Sequence, residues 1–195
     1  MDAVAKKIEI REVSQRKTAY LFIKRVFDIV LSLVLIVVLL PLLLLVMAAI
    51  AIDSPGPVIF KQKRIGYQGK EFVIFKFRTL SITAPDNVAT RKLENIDGCS
   101  TKLGRLLRRL SIDELPQLFN ILKGEMSFIG PRPERPQIIR EYIEEMPEFA
   151  YRTRVKAGLA GYAQVYGKYN TTPYDKLKLD LFYIENYSVW LDLKL

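Results

Sequence analysis

Residues 29–52, IVLSLVLIVVLLPLLLLVMAAIAI, decide how this chain has to be read. The run holds no charge, and as a straight helix it would cover ~36 Å against the ~30 Å hydrocarbon core of a bilayer. It therefore predicts membrane contact. Pro41 near its middle cannot donate to the Val37 carbonyl and its ring crowds that turn, so a kink is expected there. Basic residues flank both sides: Lys6, Lys7, Arg11, Arg16, Lys17, Lys24 and Arg25 before it, and Lys61, Lys63, Arg64, Lys70, Lys76 and Arg78 after it. A single pass is oriented by an excess of Lys and Arg on one side, and balanced flanks show no such excess. Two readings fit. In one, residues 26–40 and 42–52 are the legs, ~22 Å and ~16 Å long, of a Pro-broken re-entrant helix in which neither leg spans the core. In the other, a Pro-kinked helix passes straight through, as membrane helices tolerate.

The rest of the composition bounds the function. The 195 residues suffice for one domain beyond the membrane segment. The apolar run starts late, is too long and ends at Asp53-Ser54-Pro55, which argues against a cleaved signal peptide. Thirty basic and twenty-one acidic residues give a formal charge of +9, which favours an anionic partner such as phospholipid, nucleic acid or a phosphorylated substrate. The lone Cys99 rules out an internal disulfide and any zinc-type spacing. Histidine is absent, which removes Ser-His-Asp and Cys-His catalysis and His-ligated metals. Any chemistry must run on carboxylates, Lys, Arg, Tyr or a hydrated hard cation.

Residues 57–64 and 72–78 are β-rich runs around Gly66-Tyr67-Gln68-Gly69, which predicts a β-hairpin. Alternation in the second run places Phe75 and Phe77 on one face and Lys76 and Arg78 on the other, either as a solvated face or beside an anionic ligand. Residues 81–100 read as loop. An amphipathic helix is expected over residues 102–110, with Leu103, Leu106, Leu107 and Leu110 at i, i+3, i+4 and i+7. Its leucines can enter the core or lie in the headgroup plane.

Ser111-Ile112-Asp113-Glu114-Leu115-Pro116 is the place to look for chemistry. With Ser111 as N-cap, Pro116 would delete a helical hydrogen bond; a helix starting at Asp113 puts Pro116 harmlessly in the first turn. There the helix dipole, Arg108 and Arg109 would keep Asp113 ionised, and the same free N–H groups would favour phosphate. Adjacent acids can divide labour, one attacking phosphorus and the other helping to hold Mg²⁺. The plainer alternative is a capping Asp beside a surface Glu.

A resemblance bears on that choice. Asp113-Glu114-Leu115-Pro116-Gln117-Leu118, Asn120-Ile121-Leu122-Lys123-Gly124-Glu125-Met126-Ser127 and Gly130-Pro131-Arg132-Pro133 resemble the signature of bacterial sugar transferases, the monotopic polyprenyl-phosphate phosphoglycosyl transferases. The likeness extends to Lys24-Arg25-Val26-Phe27-Asp28, Phe75-Lys76-Phe77-Arg78-Thr79, Ala163-Gln164-Val165-Tyr166-Gly167-Lys168 and Leu179-Asp180-Leu181-Phe182-Tyr183. It implies a mainly α monotopic membrane protein with a small β-hairpin, a re-entrant helix broken at Pro41 and interfacial amphipathic helices. The implied organisation is a basic N-terminal extension over residues 1–21, a membrane helix over 22–52 and a cytoplasmic catalytic domain over 53–195, at the cytoplasmic face of a bacterial inner membrane. A segment that dips in and returns would keep the basic N-terminus, the hairpin and the acidic dyad on one side.

The reaction implied by the resemblance moves a sugar-1-phosphate from a UDP-sugar to undecaprenyl (polyprenyl) phosphate and releases UMP, the first membrane step of exopolysaccharide, capsule or other glycoconjugate synthesis. Asp113 would be the nucleophile that carries a phosphosugar, Glu114 its essential neighbour, and both would hold Mg²⁺. Arg108 and Arg132 would contact phosphates, aided by Lys76 and Arg78, because a guanidinium offers phosphate a planar fork. Gln164 and Lys168 would help form the nucleotide-sugar pocket. Membrane lipid is a further expected partner, a homodimer is compatible, and nucleic acid is not expected. The chain departs from the family pattern at Leu40, where serine often precedes the membrane proline, and at Lys168, where arginine is common. It departs again at Ala157-Gly158-Leu159-Ala160-Gly161, where Pro and Thr are missing, which predicts a less constrained turn. A competing reading from another class is a non-catalytic basic adaptor on anionic lipid, with Asp113 and Glu114 as caps.

Overall fold

A computed structural model describes residues 18–81, 99–168 and 171–195. Most of the N-terminal extension and most of the loop expected over residues 81–100 lie outside the described residues. The protein is mostly helical with a small antiparallel hairpin. Helix α1, Thr18–Asp53, holds 36 residues with Pro41 inside it. At the usual rise it is ~54 Å long. Its helical pattern runs through Pro41 without the interruption expected between two legs, since a proline removes one ladder bond and leaves its neighbours in place. Among the described residues α1 is the one helix long and apolar enough to cross a membrane.

The hairpin forms as expected: β1, Ile59–Ile65, and β2, Glu71–Phe77, join through a short 3-10 turn, Tyr67–Gly69. Then come α2, Lys102–Arg109; a single 3-10 turn, Ile112–Glu114; α3, Gln117–Lys123; and β3, Met126–Ile129. After α4, Pro136–Glu145, and a 3-10 stretch, Pro147–Arg154, the chain enters β4, Ala157–Ala160. Helices α5, Tyr162–Tyr166, α6, Pro173–Asn186, and α7, Val189–Lys194, complete it.

The chain divides into two compact units. The first comprises residues 1–29, 63–72 and 124–195. Its core is Ile139, Phe149, Leu177, Leu181, Tyr183, Ile184 and Tyr187. Here β3 pairs in parallel with β4, Met126 opposite Ala157 and Ile129 opposite Ala160. The segment expected as a loose turn at residues 157–161 is thus largely a strand. It approaches its neighbour so closely that a Cβ on Gly158 would fall 2.1 Å from the Gly130 nitrogen. The start of α1 belongs to this unit. Lys24 pairs with Asp192 at 2.5 Å, and buried Asp28 accepts from Ser127 Oγ at 3.0 Å and from the Phe128 N–H at 3.1 Å. Arg152 is buried with Asp180 at 2.7 Å, beside Glu134, which also takes Lys176. These three cations of the pair-rich core, Arg64 included, hold the Glu134 carboxyl below the usual carboxylate range against the burial that would raise it.

The second unit comprises residues 30–62 and 73–123. Leu43, Val46 and Ile50 of α1 pack with Phe77 and Leu107. Of the four leucines expected to form one stripe on α2, Leu103 and Leu107 join this core while Leu106 and Leu110 stay exposed. The reason is Gly104: it sits so near β2's exit that an added Cβ would lie 2.0 Å from the Thr79 carbonyl oxygen. That backbone contact turns the face of residues 103, 104 and 107 inward. Thr101 caps the helix by accepting from the Gly104 N–H at 2.8 Å.

Candidate active site

The site grows from the join between α2 and α3 in the second unit. Ser111 adopts a left-handed conformation, φ 56°, which ends α2 and turns the chain into the 3-10 turn that holds both acids. The Leu118 and Phe119 N–H groups bond back to Leu115 and Pro116 carbonyls, three residues earlier, so the spiral stays tight until α3 is under way. The helix therefore starts at Gln117 and not at Asp113 as expected. Pro116 precedes it, where a missing N–H costs nothing.

Asp113 is 8% exposed. Burial pushes its carboxyl above the ordinary carboxylate range; Glu114 adds to the rise, while Lys76 and then Arg108 oppose it. The expectation that dipole and arginines would hold it down is thereby corrected. Asp113 lies off the α-helix end, and loss of hydration outweighs the cations. Glu114 pairs with Lys76, Oε1 to Nζ at 2.7 Å, with side chains 18% and 17% exposed. Lys76 is thus not on a solvated strand face: it stands at the acidic pair, and with Arg108 it supplies the positive charge there. The plainer alternative of an exposed surface Glu does not describe this pair.

Asn120 fixes the strand that carries Lys76. Its amide accepts from the Phe75 N–H at 3.1 Å and donates to the Val73 carbonyl at 2.7 Å. The Arg78 N–H bonds to Val58, so even-numbered residues of β2 face β1 and odd-numbered ones present their peptide groups to the open edge. Asn120 occupies that edge and is fully buried. Gln117, one turn back, is buried too, and its Nε2 has no hydrogen-bond partner among the described residues. Neither was given a role from sequence. The available signal was polar residues at i and i+3 among Leu118, Ile121 and Leu122.

Arg78 stands elsewhere. It donates to the Ser54 carbonyl at 2.6 Å, the Pro55 carbonyl at 2.5 Å and Ser54 Oγ at 3.0 Å, and so ties β2 to the two residues that follow α1. Arg132, Gln164 and Lys168 belong to the first unit. Arg132 follows β3 and lines a small cavity with Gly66, Glu134, Arg152 and Thr153. Gln164 donates to the Leu159 carbonyl at 3.3 Å, and its buried Oε1 has no hydrogen-bond partner among the described residues. Lys168 is exposed, its N–H bonded to Thr171 Oγ1 at 2.6 Å. Among the described residues no group of three or more His, Cys, Asp or Glu could cage a metal. Two adjacent carboxylates do suit Mg²⁺, which keeps its waters and takes one or two carboxylates plus substrate phosphate.

Residues 19–195 match the bacterial sugar transferase family, and the chain belongs to it. It is 46% identical over 180 residues to an undecaprenyl-phosphate glucose phosphotransferase of Komagataeibacter xylinus, covering 88% of this chain and 34% of the relative. It is 41% identical over 177 residues to a UDP-N-acetylgalactosamine-undecaprenyl-phosphate N-acetylgalactosaminephosphotransferase of Aeromonas hydrophila, covering 89% and 42%. It is also 38% identical over 175 residues to an uncharacterized sugar transferase of Bacillus subtilis, covering 90% and 84%. The chain spans about a third to two fifths of the length of the first two relatives.

Proposed function

We propose that this chain is a polyprenyl-phosphate phosphoglycosyl transferase in which Asp113 is the nucleophile. The observation that carries the reading is a buried Asp113 beside a Glu114 locked to Lys76. The Asp113 carboxylate attacks the sugar-bearing phosphorus of a UDP-sugar, the anhydride bond to the other phosphorus breaks, and UMP leaves with that electron pair. An oxygen of the polyprenyl phosphate then attacks the same phosphorus, the bond to Asp113 breaks, and a polyprenyl-diphosphate sugar forms with the carboxylate restored. Desolvation sharpens the nucleophile, and Lys76 and Arg108 offset charge that accumulates on the transferring group. Asp113 and Glu114 would hold Mg²⁺, which supplies charge neutralisation to the diphosphate. Arg132, Gln164 and Lys168 would serve the nucleotide sugar. Arg78 acts through α1 and β2, as a post that joins them.

The same reading places α1 as a re-entrant segment at the cytoplasmic face of an inner membrane. Its support is the balance of basic residues on the two sides of the apolar run, which gives a straight crossing no preferred direction. Exposed Leu106 and Leu110 on α2, and Val189, Trp190 and Leu193 on α7, fit helices that rest at the headgroup level.

The test is purified protein with Mg²⁺, undecaprenyl phosphate and a panel of UDP-sugars, with UMP measured. The expected result is release with at least one donor and none from Asp113→Asn, and a phosphosugar adduct on Asp113 by mass spectrometry when lipid is withheld. Release that survives Asp113→Asn would sink the covalent mechanism. Single cysteines placed before α1 and after Asp53 should label from the same side of sealed vesicles.

A further inference from the structure

The loop between β3 and α4 carries Arg132 between Pro131 and Pro133, and its backbone is held at every carbonyl from residue 131 to residue 134. The Gly158 N–H donates to the Pro131 carbonyl at 3.0 Å, Arg152 Nη2 to Arg132 at 2.9 Å, Arg64 Nη1 to Pro133 at 3.0 Å and the Ile65 N–H to Glu134 at 2.9 Å. Two of these donors are strand amides, from β4 and β1. The other two are side chains, and Arg152 is the more enclosed of them, 3% exposed. Its guanidinium lies over the Phe149 ring, 4.8 Å from the centroid. The same Nη2 that reaches the Arg132 carbonyl also meets Asp180 Oδ2 at 2.7 Å. Phe149 and Asp180 are buried in turn. The prolines add to the restraint: each fixes its own φ, and Pro133 pushes Arg132 toward extended backbone. What leaves this platform is the Arg132 side chain, half-buried at the small cavity it lines with Gly66, Arg152 and Thr153.

Stability alone does not call for such a pair. A buried Arg–Asp pair is often no more stabilising than apolar residues of the same volume, because desolvation offsets the attraction. Fixing a substrate-binding side chain through its support is a use that apolar residues cannot serve. We propose that Arg152 is a positioning residue for the nucleotide sugar, its bond to the Arg132 carbonyl setting the direction in which the Arg132 guanidinium meets phosphate. The role rests on the reading of Arg132 as a contact of the donor's phosphates. Asp180 and Phe149 act one step further back, by holding Arg152.

Uridine diphosphate, the part common to UDP-sugars, is titrated by calorimetry into the full-length protein in detergent with Mg²⁺. Arg132→Gln removes a charged contact and should weaken binding about tenfold or more. Arg152→Lys keeps a charge beside Asp180 but loses the reach and fork that serve the Arg132 carbonyl, and should weaken binding about fivefold. The decisive variant carries both changes. With Arg152 acting through Arg132, it binds no more weakly than Arg132→Gln alone, whereas an independent or merely structural effect multiplies the two losses. Arg152→Met with Asp180→Leu replaces the pair by apolar groups; it should melt close to wild type and show the same loss as Arg152→Lys. Arg154→Gln, at an exposed residue stacked on Tyr151, controls for net charge and should bind like wild type. Multiplied losses in the double variant, wild-type binding by both changes at Arg152, or an equal loss from Arg154→Gln overturns the proposal. Wild-type binding by Arg132→Gln would instead overturn the phosphate role of Arg132, and the proposal with it. Absence of binding by the wild-type protein would overturn the nucleotide-sugar reading itself.

Discussion

Replacing Asn120 with alanine tests how β2 is held. In the folded protein one amide satisfies the Phe75 N–H at 3.1 Å and the Val73 carbonyl at 2.7 Å, inside a site with no exposure. Alanine strands both backbone groups away from water, at about 1–3 kcal/mol each. Better helix propensity in α3 returns ~0.7 kcal/mol. The net cost is about 3 kcal/mol, or a fall of about 6–12 °C in Tm for a chain of this size. Thermal unfolding by circular dichroism in detergent reads it. Asn120→Asp keeps an acceptor for Phe75 and loses the donor to Val73, so it should also melt well below wild type at neutral pH. On the proposed mechanism the alanine variant should lose turnover more than substrate affinity, because Lys76 is the next residue along the anchored strand and would lose its place beside Glu114. A variant that melts within ~1 kcal/mol of wild type would show that the edge of β2 is satisfied in some other way, and the account of Asn120 would fall.

Three further outcomes follow from the site and its supports. Asp113→Asn should abolish UMP release yet raise Tm at neutral pH. The folded-state pKa of Asp113 lies above its unfolded value, so the stability it contributes is full below the unfolded pKa and is lost as pH rises through the folded one. The variant's advantage should vanish on acidification to the ordinary carboxylate range, and a variant less stable than wild type at pH 7 would refute this. Lys76→Met removes the largest influence that lowers the Asp113 pKa, so the acidic limb of the kcat/KM profile should move to higher pH as well as fall in height; an unmoved limb would show that another group sets it. Gly104→Ala drives a Cβ to 2.0 Å from the Thr79 carbonyl, a backbone atom that cannot swing aside, so loss of ~3 kcal/mol or more is expected by urea unfolding, together with loss of activity as α2 and Arg108 shift.

The parts of the fold visible in sequence were those written in local pattern. A run of apolar residues announces α1, and two β-rich runs around Gly66 and Gly69 announce the hairpin. The parallel pair of β3 and β4 left no such trace. Each strand is four residues long, too short to show alternation, and the partners are separated by all of α4. Their glycines 130 and 158 were the only hint, and a glycine reads equally well as a turn. At Pro41 the helical pattern continues, because a proline removes one ladder bond while the leucine-rich flanks keep theirs, and a bend there stays compatible with the re-entrant reading. On α2 the spacing of leucines was read correctly and its inward face was not, because Gly104 sets that face by admitting the Thr79 backbone.

Residue type located the acidic pair, but the state of the pair depends on a contact across sequence that no local rule supplies. Lys76 reaches Glu114 from a strand some forty positions away, and only that placement makes Glu114 a held group and not a surface acid. Charge alone also could not divide the strand's two cations. Lys76 and Arg78 occupy one face by alternation, yet Arg78 bonds to the Ser54 and Pro55 carbonyls just past α1 while Lys76 bonds to Glu114. Two successive carbonyls turned to one point suit a guanidinium, whose fork of N–H groups reaches both, better than an ammonium. Placement also decides the state of Asp113. A carboxylate at a free α-helix end would have had spare N–H groups and a low pKa; four residues upstream of α3 it has burial instead. A group so placed gives up stability when ionised, and on the proposed mechanism it gains reactivity toward phosphorus in return, so the stability of Asp113→Asn reports on what the wild-type fold gives up to keep this carboxylate buried.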